Sequence, residues 1–260
     1  MRSQAVCMSL IAVAFGLVCA ATAVAQSSEP VCTPGVSTAL GIAHSNKKET
    51  PYIATVRTSF EQRLPDGSYI RGSSLTHEAR DSAGRTMQEA MIGCKRDGKG
   101  GVEPHLSVSV DDPTTRTLLS WQTGVGTTTI ATQQKKPSPS LTPAIAAARL
   151  KISPTMRETK VEDLGTRTVA GIEARGSRQT RTIPPGEEGN ELPLIVTNET
   201  WASRDLGVTL VQIIDDPRHG RSTFQVEELS RTEPDAAVFA PPAGYKIEAR
   251  ALPSVTVAAP

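Results

Sequence analysis

The side chains that could support metal binding or catalysis are scattered along this chain, apart from one short run. Asp215, Asp216 and His219 lie within five positions, and such a set is a local candidate for zinc, which needs three or four converging ligands. The same run, with Pro217 and Gly220, also has the composition of a β-turn, in which Asp caps backbone N–H groups and Gly adopts a positive φ. We favour the turn, and we expect no metal and no cofactor.

Recognised catalytic motifs are absent from the sequence. The run from His77 to Asp81 lacks the second histidine of a His-Glu-x-x-His zinc motif, and the run from Gly124 to Thr128 lacks the lysine of a Walker A loop. No Gly-x-Ser-x-Gly elbow occurs. His77 and His105 are expected on strand surfaces. The sequence therefore predicts a protein that is not an enzyme, with no catalytic residues.

The N-terminal residues predict export. Arg2 precedes a mostly apolar stretch from Ala5 to Ala21, and Ala23-Val24-Ala25 is a small-x-small cleavage site. This pattern is typical of a cleavable secretory signal peptide over residues 1–25. We therefore expect a periplasmic or secreted protein, with cleavage after Ala25.

Four cysteines are present, and two of them fall in the predicted signal peptide. The other two, Cys32 and Cys94, are expected to form a disulfide, because exported proteins fold in an oxidising compartment. Closing a loop of about 60 residues would stabilise the fold by roughly 4 kcal/mol. The alternative is a pair of free thiols. The residues before Cys19 and Cys32 do not fit a lipid-attachment signal, so no stable membrane anchor is expected.

The charge balance excludes some partners. The chain has 28 Lys and Arg residues against 27 Asp and Glu residues, and removal of Arg2 with the signal peptide makes the numbers equal. Proteins that bind nucleic acid or anionic membranes usually carry a basic excess on one face. We therefore expect no nucleic-acid partner.

Alternating patterns and regularly spaced turns predict antiparallel β-structure. In the first strand Tyr52, Ala54, Val56 and Phe60 share one face. A hairpin turn is predicted at residues 65–68, and further turns at 81–84, 111–114, 170–171, 204–207 and 215–220. One short helix is predicted at about residues 143–151, where Thr142 can cap a proline-started, alanine-rich run.

These elements predict one mainly β domain. After the signal peptide we expect an N-terminal extension over residues 26–50, a single β-rich domain over 51–248 and a flexible tail over 249–260. The preferred fold is a curved antiparallel sheet or half-open barrel with the short helix packed on its concave side, because such a sheet must bury its apolar face. Two separate sandwiches joined by the proline-rich segment are the alternative.

Three segments carry a family resemblance, namely residues 78–85 (EARDSAGR), residues 162–171 (EDLGTRTVAG) and the motifs between Asn198 and Tyr245. They resemble a group of uncharacterised exported proteins of acidobacterial type and, remotely, the LolA-like lipoprotein-carrier superfamily. The resemblance implies a half-open barrel whose cavity holds acyl chains or senses exposed peptides and lipopolysaccharide. It implies no catalytic residues. The few predicted helices and few aromatic residues depart from the carrier pattern.

The leading functional prediction is a non-enzymatic binding or carrier module for a lipid, lipoprotein or envelope component. The alternative is an envelope protein–protein adaptor or sensor without a ligand chamber. Apolar residues at alternating strand positions, and both tryptophans, are the candidates for a cavity wall. These residues are Val56, Val108, Val211, Ile213, Trp121 and Trp201.

Overall fold

The computed structural model describes residues 47–96, 98–99, 101–124, 126–136 and 159–250. The predicted signal peptide, Cys32, the helix predicted at 143–151 and residues 251–260 lie outside these ranges. The described residues contain no helix with the length and hydropathy of a membrane span.

Twelve strands and one short 3-10 helix are found in the described ranges. The strands are β1 (Tyr52–Arg63), β2 (Tyr69–Arg80), β3 (Thr86–Arg96), β4 (Val102–Asp112), β5 (Thr117–Thr123), β6 (Ile130–Lys135), β7 (Thr159–Val169), β8 (Ile172–Ile183), β9 (Leu194–Ser203), β10 (Val208–Asp216), β11 (Gly220–Ser230) and β12 (Lys246–Arg250). The 3-10 helix is Ala236–Phe239.

All twelve strands belong to one open sheet, in the order β12-β6-β5-β4-β3-β2-β1-β11-β10-β9-β8-β7. Strands β1 and β11 join its two halves at the centre. Strands β6 and β7 follow one another among the described strands, but β7 lies at one end of the order and β6 lies next to the strand at the other end, β12. The sheet confirms the predicted mainly antiparallel architecture. The helix predicted on its concave side lies outside the described residues.

Local turn chemistry explains the hairpins. Between β1 and β2, Asp66 Oδ1 accepts hydrogen bonds from the backbone N–H and the hydroxyl of Ser68 at 2.9 and 2.6 Å, and Gly67 adopts a φ of 86°. Between β7 and β8, Ala170 and Gly171 both have positive φ values, as a type I′ hairpin requires. The turns predicted at these two places are confirmed.

Two strands, β6 and β12, were not predicted from the sequence. β6 and β12 are short, and they form the one parallel pair among the described strands, with Lys246 opposite Ile130 and Arg250 opposite Gln134. β12 alternates polar and apolar residues, but all five are exposed, and the strand is only five residues long. Ala249 and Arg250, which we expected in the flexible tail, belong to this strand.

Cross-strand pairing assigns the side chains of the sheet to two faces, because directly paired residues point to the same side. Thr76 pairs with Val56 of β1 and with Ala90 of β3, and Ala90 pairs with Ser107 of β4. We call this side the Thr76 face. Val108, the next residue in β4, points to the opposite side, which we call the Val108 face.

Two clusters of buried apolar side chains stabilise the sheet. Their members are all at most 8% exposed, and burial of a large apolar side chain contributes about 1.5–3 kcal/mol. The first cluster consists of Tyr52, Ala54, Val56, Val169, Ala174, Trp201, Leu206, Val208, Leu210, Val211, Phe224 and Val226. The second cluster consists of Ala79, Val108, Val110, Trp121, Ala131 and Phe239.

The segment between β11 and β12 packs on the Val108 face. Its 3-10 helix is capped by Asp235, whose carboxylate accepts from the N–H of Ala237 at 2.9 Å. Phe239 packs into the second cluster beneath the guanidinium of Arg85, which lies 4.6 Å from the ring centroid. The Tyr245 hydroxyl donates to a β5 carbonyl at 2.7 Å. These contacts bring the chain to its parallel pairing with β6.

A buried arginine fastens the end of β2 to its neighbours. Arg80 is fully buried, and its guanidinium donates to the carbonyl and hydroxyl of Thr50 at 3.0 and 2.8 Å and to the carbonyl of Leu206 at 2.7 Å. The guanidinium carbon also lies 4.7 Å from the centroid of the Tyr52 ring. The EARDSAGR segment therefore has a structural role at this position.

Candidate functional site

The six residues predicted as a cavity wall do not share one face. Val56 lies on the Thr76 face. The register places Val108 with Trp121, and Val211 with Trp201, on the Val108 face. Ile213 lies on that face beside Val211.

These wall candidates belong to two separate apolar clusters. Val108 and Trp121 are in the second cluster, and Val56, Val211 and Trp201 are in the first. All five are at most 7% exposed, and Ile213 is partly buried against the first cluster. In the described residues these side chains pack within their clusters.

Trp201 has a well-defined packing environment. Its Nε1–H donates to Glu199 Oε1 at 2.7 Å, and Arg178 donates to the other oxygen of that carboxylate at 2.7 Å. These two hydrogen bonds hold the pKa of Glu199 below its usual value. Arg167 lies 4.0 Å above the ring. A Cβ added to Gly176 would lie 2.7 Å from three ring carbons, so glycine is required beneath this tryptophan.

The Thr76 face carries polar side chains across the sheet. Successive cross-strand pairs connect them in two rows, which meet at different positions of β2, and the second row is interrupted by Phe224. One row on β6 to β2 consists of Thr132, Ser120, Ser109, Gln88 and Glu78. The other row, on β2, β1 and β11 to β7, consists of Ser74, Thr58, Phe224, Gln212, Thr200, Ser177 and Asp163.

Four side chains on this face each have a hydrogen-bonding atom that is shielded from solvent and has no partner among the described residues. The atoms are Thr58 Oγ1, Thr76 Oγ1, Gln88 Nε2 and His105 Nδ1. Both threonines are 1% exposed and His105 is 8% exposed. The other ring nitrogen of His105 bonds Gln122 Oε1 at 3.0 Å, so either tautomer leaves Nδ1 without a partner.

Such atoms are rare in folded proteins, because an unpartnered buried polar group costs about 1–3 kcal/mol. All four of these atoms lie on the Thr76 face. We call Thr58, Thr76, Gln88 and His105 the buried polar strip.

A fully buried carboxylate lies beside the strip. Glu78 has no exposed surface, and it pairs across the strands with Ala54 and Gln88. Burial and the negative charge of Glu78 raise the pKa of Tyr52, although Arg80 opposes that shift. This end of the face is therefore charged and hydrogen-bonding in character.

Open grooves flank the strip on both wings of the Thr76 face. A groove of about 310 Å³ on β4 to β6 is lined by Ser107, Ser120, Trp121, Gln122, Thr128, Ile130 and Thr132, so one predicted wall residue, Trp121, borders it. Another of about 310 Å³ on β7 to β9 is lined by Val161, Asp163, Arg175, Ser177, Ala202 and Arg204. The polar side chains of the two grooves can accept and donate hydrogen bonds on both wings of the Thr76 face. Within the described ranges, no three His, Cys, Asp or Glu residues are grouped to hold a metal ion.

The run at 215–220 forms the β10–β11 turn, as we favoured from the sequence. The N–H of His219 donates to the carbonyl of Asp216 at 3.0 Å. The Asp216 carboxylate accepts from Arg218, which also binds Glu188 of the neighbouring loop. The Arg218 hydrogen bonds lower the pKa of Asp216. These carboxylate contacts stabilise the turn.

Sequence reasoning missed the buried polar strip. His105 was expected on a strand surface and is buried instead. Thr58 stands between Val56 and Phe60 at an inward position of β1, and a polar residue at such a position was the signal that could have found the strip. Cys94 lies in β3, and its predicted pairing with Cys32 stays a prediction because Cys32 lies outside the described residues.

No family model and no curated protein matches this chain. Among solved structures, it is similar to an uncharacterized conserved protein from Thermus thermophilus, with 12% identity and a TM-score of 0.40 over 77% of this chain and 91% of that one. It is similar to MucB in the MucA/MucB complex of Pseudomonas aeruginosa, with 16% identity and a TM-score of 0.38 over 75% of this chain. The match spans only 56% of the MucB chain.

A third structure is a putative outer membrane lipoprotein-sorting protein domain from Vibrio parahaemolyticus. The identity is 9% and the TM-score 0.29, over 74% of this chain and 91% of that one.

Proposed function

We propose that this chain is a non-enzymatic, exported binding module that holds an envelope component against the Thr76 face. The observation that carries the proposal is the buried polar strip, whose four unpartnered atoms all lie on that face. A ligand or partner segment with its own donors and acceptors removes the cost of burying them. Binding, without bond-breaking, is therefore the function that this geometry supports best.

The side chains that line the Thr76 face indicate which kind of ligand it can bind. An acyl-chain carrier needs an apolar wall that is open to its cargo, whereas Val56, Val108, Val211, Trp121 and Trp201 are packed into the two clusters. The polar rows and their flanking grooves instead suit a component that presents hydrogen-bonding groups along its length. A lipoprotein segment or a polar envelope chain fits this description better than a bare acyl chain does.

An adaptor role is the second candidate, and the open sheet edge favours it. β7 is the last strand in the order, and an extended segment can add to such an edge. However, β7 carries a bulge between Asp163 and Gly165, and bulges at edges discourage further pairing. The adaptor candidate therefore also relies on the Thr76 face.

Native mass spectrometry tests the proposal. The protein is isolated under mild conditions from the envelope of producing cells and compared with protein refolded from denaturant. We expect a bound mass on the isolated protein only, and loss of that mass in the double variant Thr58→Val, Thr76→Val. The control variant Thr168→Val changes an exposed strand threonine and should keep the bound mass.

Two outcomes contradict the proposal. One is an isolated wild-type protein with no added mass. The other is a double variant that folds and retains the full bound mass, because the strip would then have no part in binding.

A further inference from the structure

An open groove of about 760 Å³ lies on the Val108 face, where β2, β1 and β11 run side by side beyond the apolar clusters. The register sets its lining side chains in two rows. The first row is Ser73, Ser59 and Thr223, and the second is Arg71, Glu61 and Arg221. The groove therefore presents three hydroxyls beside an Arg–Glu–Arg row on neighbouring strands.

The two arginines of the second row are engaged differently. Arg71 donates to Glu61 at 2.5 Å and lies 4.3 Å from the Tyr69 ring centroid. Arg221 forms an ion pair with Asp215 at 3.7 Å, which is too long for a hydrogen bond. Its side chain is 55% exposed. Of the two arginines in this groove, Arg221 is therefore the one whose guanidinium N–H groups are available to a ligand.

The three hydroxyls make no side-chain hydrogen bond to another described residue. Ser59 pairs directly with Ser73 on one side and with Thr223 on the other, so paired side chains are about 5 Å apart. Arg221 lies two positions before Thr223 in β11 and therefore on the same face. Hydroxyl donors and a guanidinium converge on one small region.

This donor set matches a particular chemistry. A guanidinium binds phosphate with two parallel hydrogen bonds, and hydroxyl groups can satisfy the remaining oxygens. Glu61 does not oppose an anion strongly, because its charge is already compensated by Arg71. Asp215 is paired with Arg221 only at 3.7 Å and offsets part of its charge, so an anion that makes direct hydrogen bonds to the guanidinium must compete with this carboxylate.

We infer that this groove is a second binding site, for a phosphate ester, with Arg221 as the main anion contact and Ser59, Ser73 and Thr223 as supporting donors. The phosphate can belong to a lipid headgroup or to a soluble phosphomonoester. The site lies on the face opposite the buried polar strip and does not depend on the proposed function.

Two probes with the full mature chain test this inference. The first is glycerol 3-phosphate, measured by isothermal titration calorimetry. The second is a phosphatidylcholine vesicle doped with phosphatidic acid, measured by co-sedimentation against vesicles of phosphatidylcholine alone. We expect binding of at least one probe, and about 10- to 100-fold weaker binding in Arg221→Gln, which removes a charge-assisted hydrogen bond. Added salt should also weaken it.

A matched control is Arg231→Gln. Arg231 has similar exposure, 51%, and is paired with Asp205 at 2.8 Å outside the groove. Its substitution should leave phosphate binding unchanged. Ser59→Ala should weaken binding several-fold without changing the urea midpoint, which separates loss of a contact from loss of the fold.

Each outcome decides the inference. Binding of both probes, or of either alone, supports the site and identifies the source of its phosphate. Binding of neither probe overturns it, as does equal binding by wild type and Arg221→Gln. If phosphate binding is absent while native mass spectrometry still shows the bound mass expected for the Thr76 face, only this inference fails and the proposed function stands.

Discussion

Replacing Thr76 by valine should stabilise the ligand-free protein. The Thr76 side chain is 1% exposed and its hydroxyl has no hydrogen-bond partner among the described residues, and valine has nearly the same shape without the polar atom. An unsatisfied buried hydroxyl costs about 1–3 kcal/mol, so the free energy of unfolding should rise by about that amount. For a domain of this size, the melting temperature should rise by about 2–4 °C per kcal/mol.

Urea unfolding of refolded protein, followed by tryptophan fluorescence, measures this effect. The m-value should stay constant, because the surface exposed on unfolding does not change. Thr168→Val on an exposed strand position is the control and should shift stability by less than about 0.5 kcal/mol. A loss of more than about 1 kcal/mol in Thr76→Val would refute the reasoning, since the hydroxyl would then have an effective partner in the free protein.

Three further predictions concern the supporting structure. Arg80→Met should lower the free energy of unfolding in urea by about 3–5 kcal/mol, because buried carbonyls lose their donor, whereas exposed Arg204→Met should have little effect. Because the folded-state pKa of Asp216 is depressed, its stabilisation is present above the unfolded pKa of about 3.9 and is lost as pH falls through the folded value. Asp216→Asn should therefore flatten the acid side of a urea-midpoint profile, and an unchanged slope would contradict this. Gly176→Ala should cost about 1–3 kcal/mol in thermal unfolding and alter the fluorescence of Trp201, because the new methyl group overlaps its ring; an unperturbed variant would contradict that packing.

The antiparallel fold was predictable where local rules decide structure. Alternation in residues 52–60 and the turn at residues 65–68 are local signals, and both match the structure. The β6–β12 pair was not predictable in this way, because parallel pairing of distant, short strands leaves no local pattern. The sheet order likewise depends on the central β1–β11 pairing, which joins residues about 170 positions apart.

The candidate site was only partly predictable, because alternation reveals which residues share a face of one strand but not which strands are neighbours. Val56 and Val108 were grouped as wall residues from equivalent patterns, and only the full register separates them onto opposite faces. The buried polar strip depends on that same register. Thr58 and Thr76 become a site because the pairing of β1 with β2 brings them to one side.

Site-directed photocrosslinking in the producing cell tests the central claim most directly. A benzophenone side chain is placed at Ser109 on the Thr76 face and, as the matched position, at Glu89 on the Val108 face of the neighbouring strand. The account predicts a crosslinked envelope component from Ser109 and none from Glu89. Equal crosslinking from both positions, or none from Ser109 in a folded and exported protein, would contradict it.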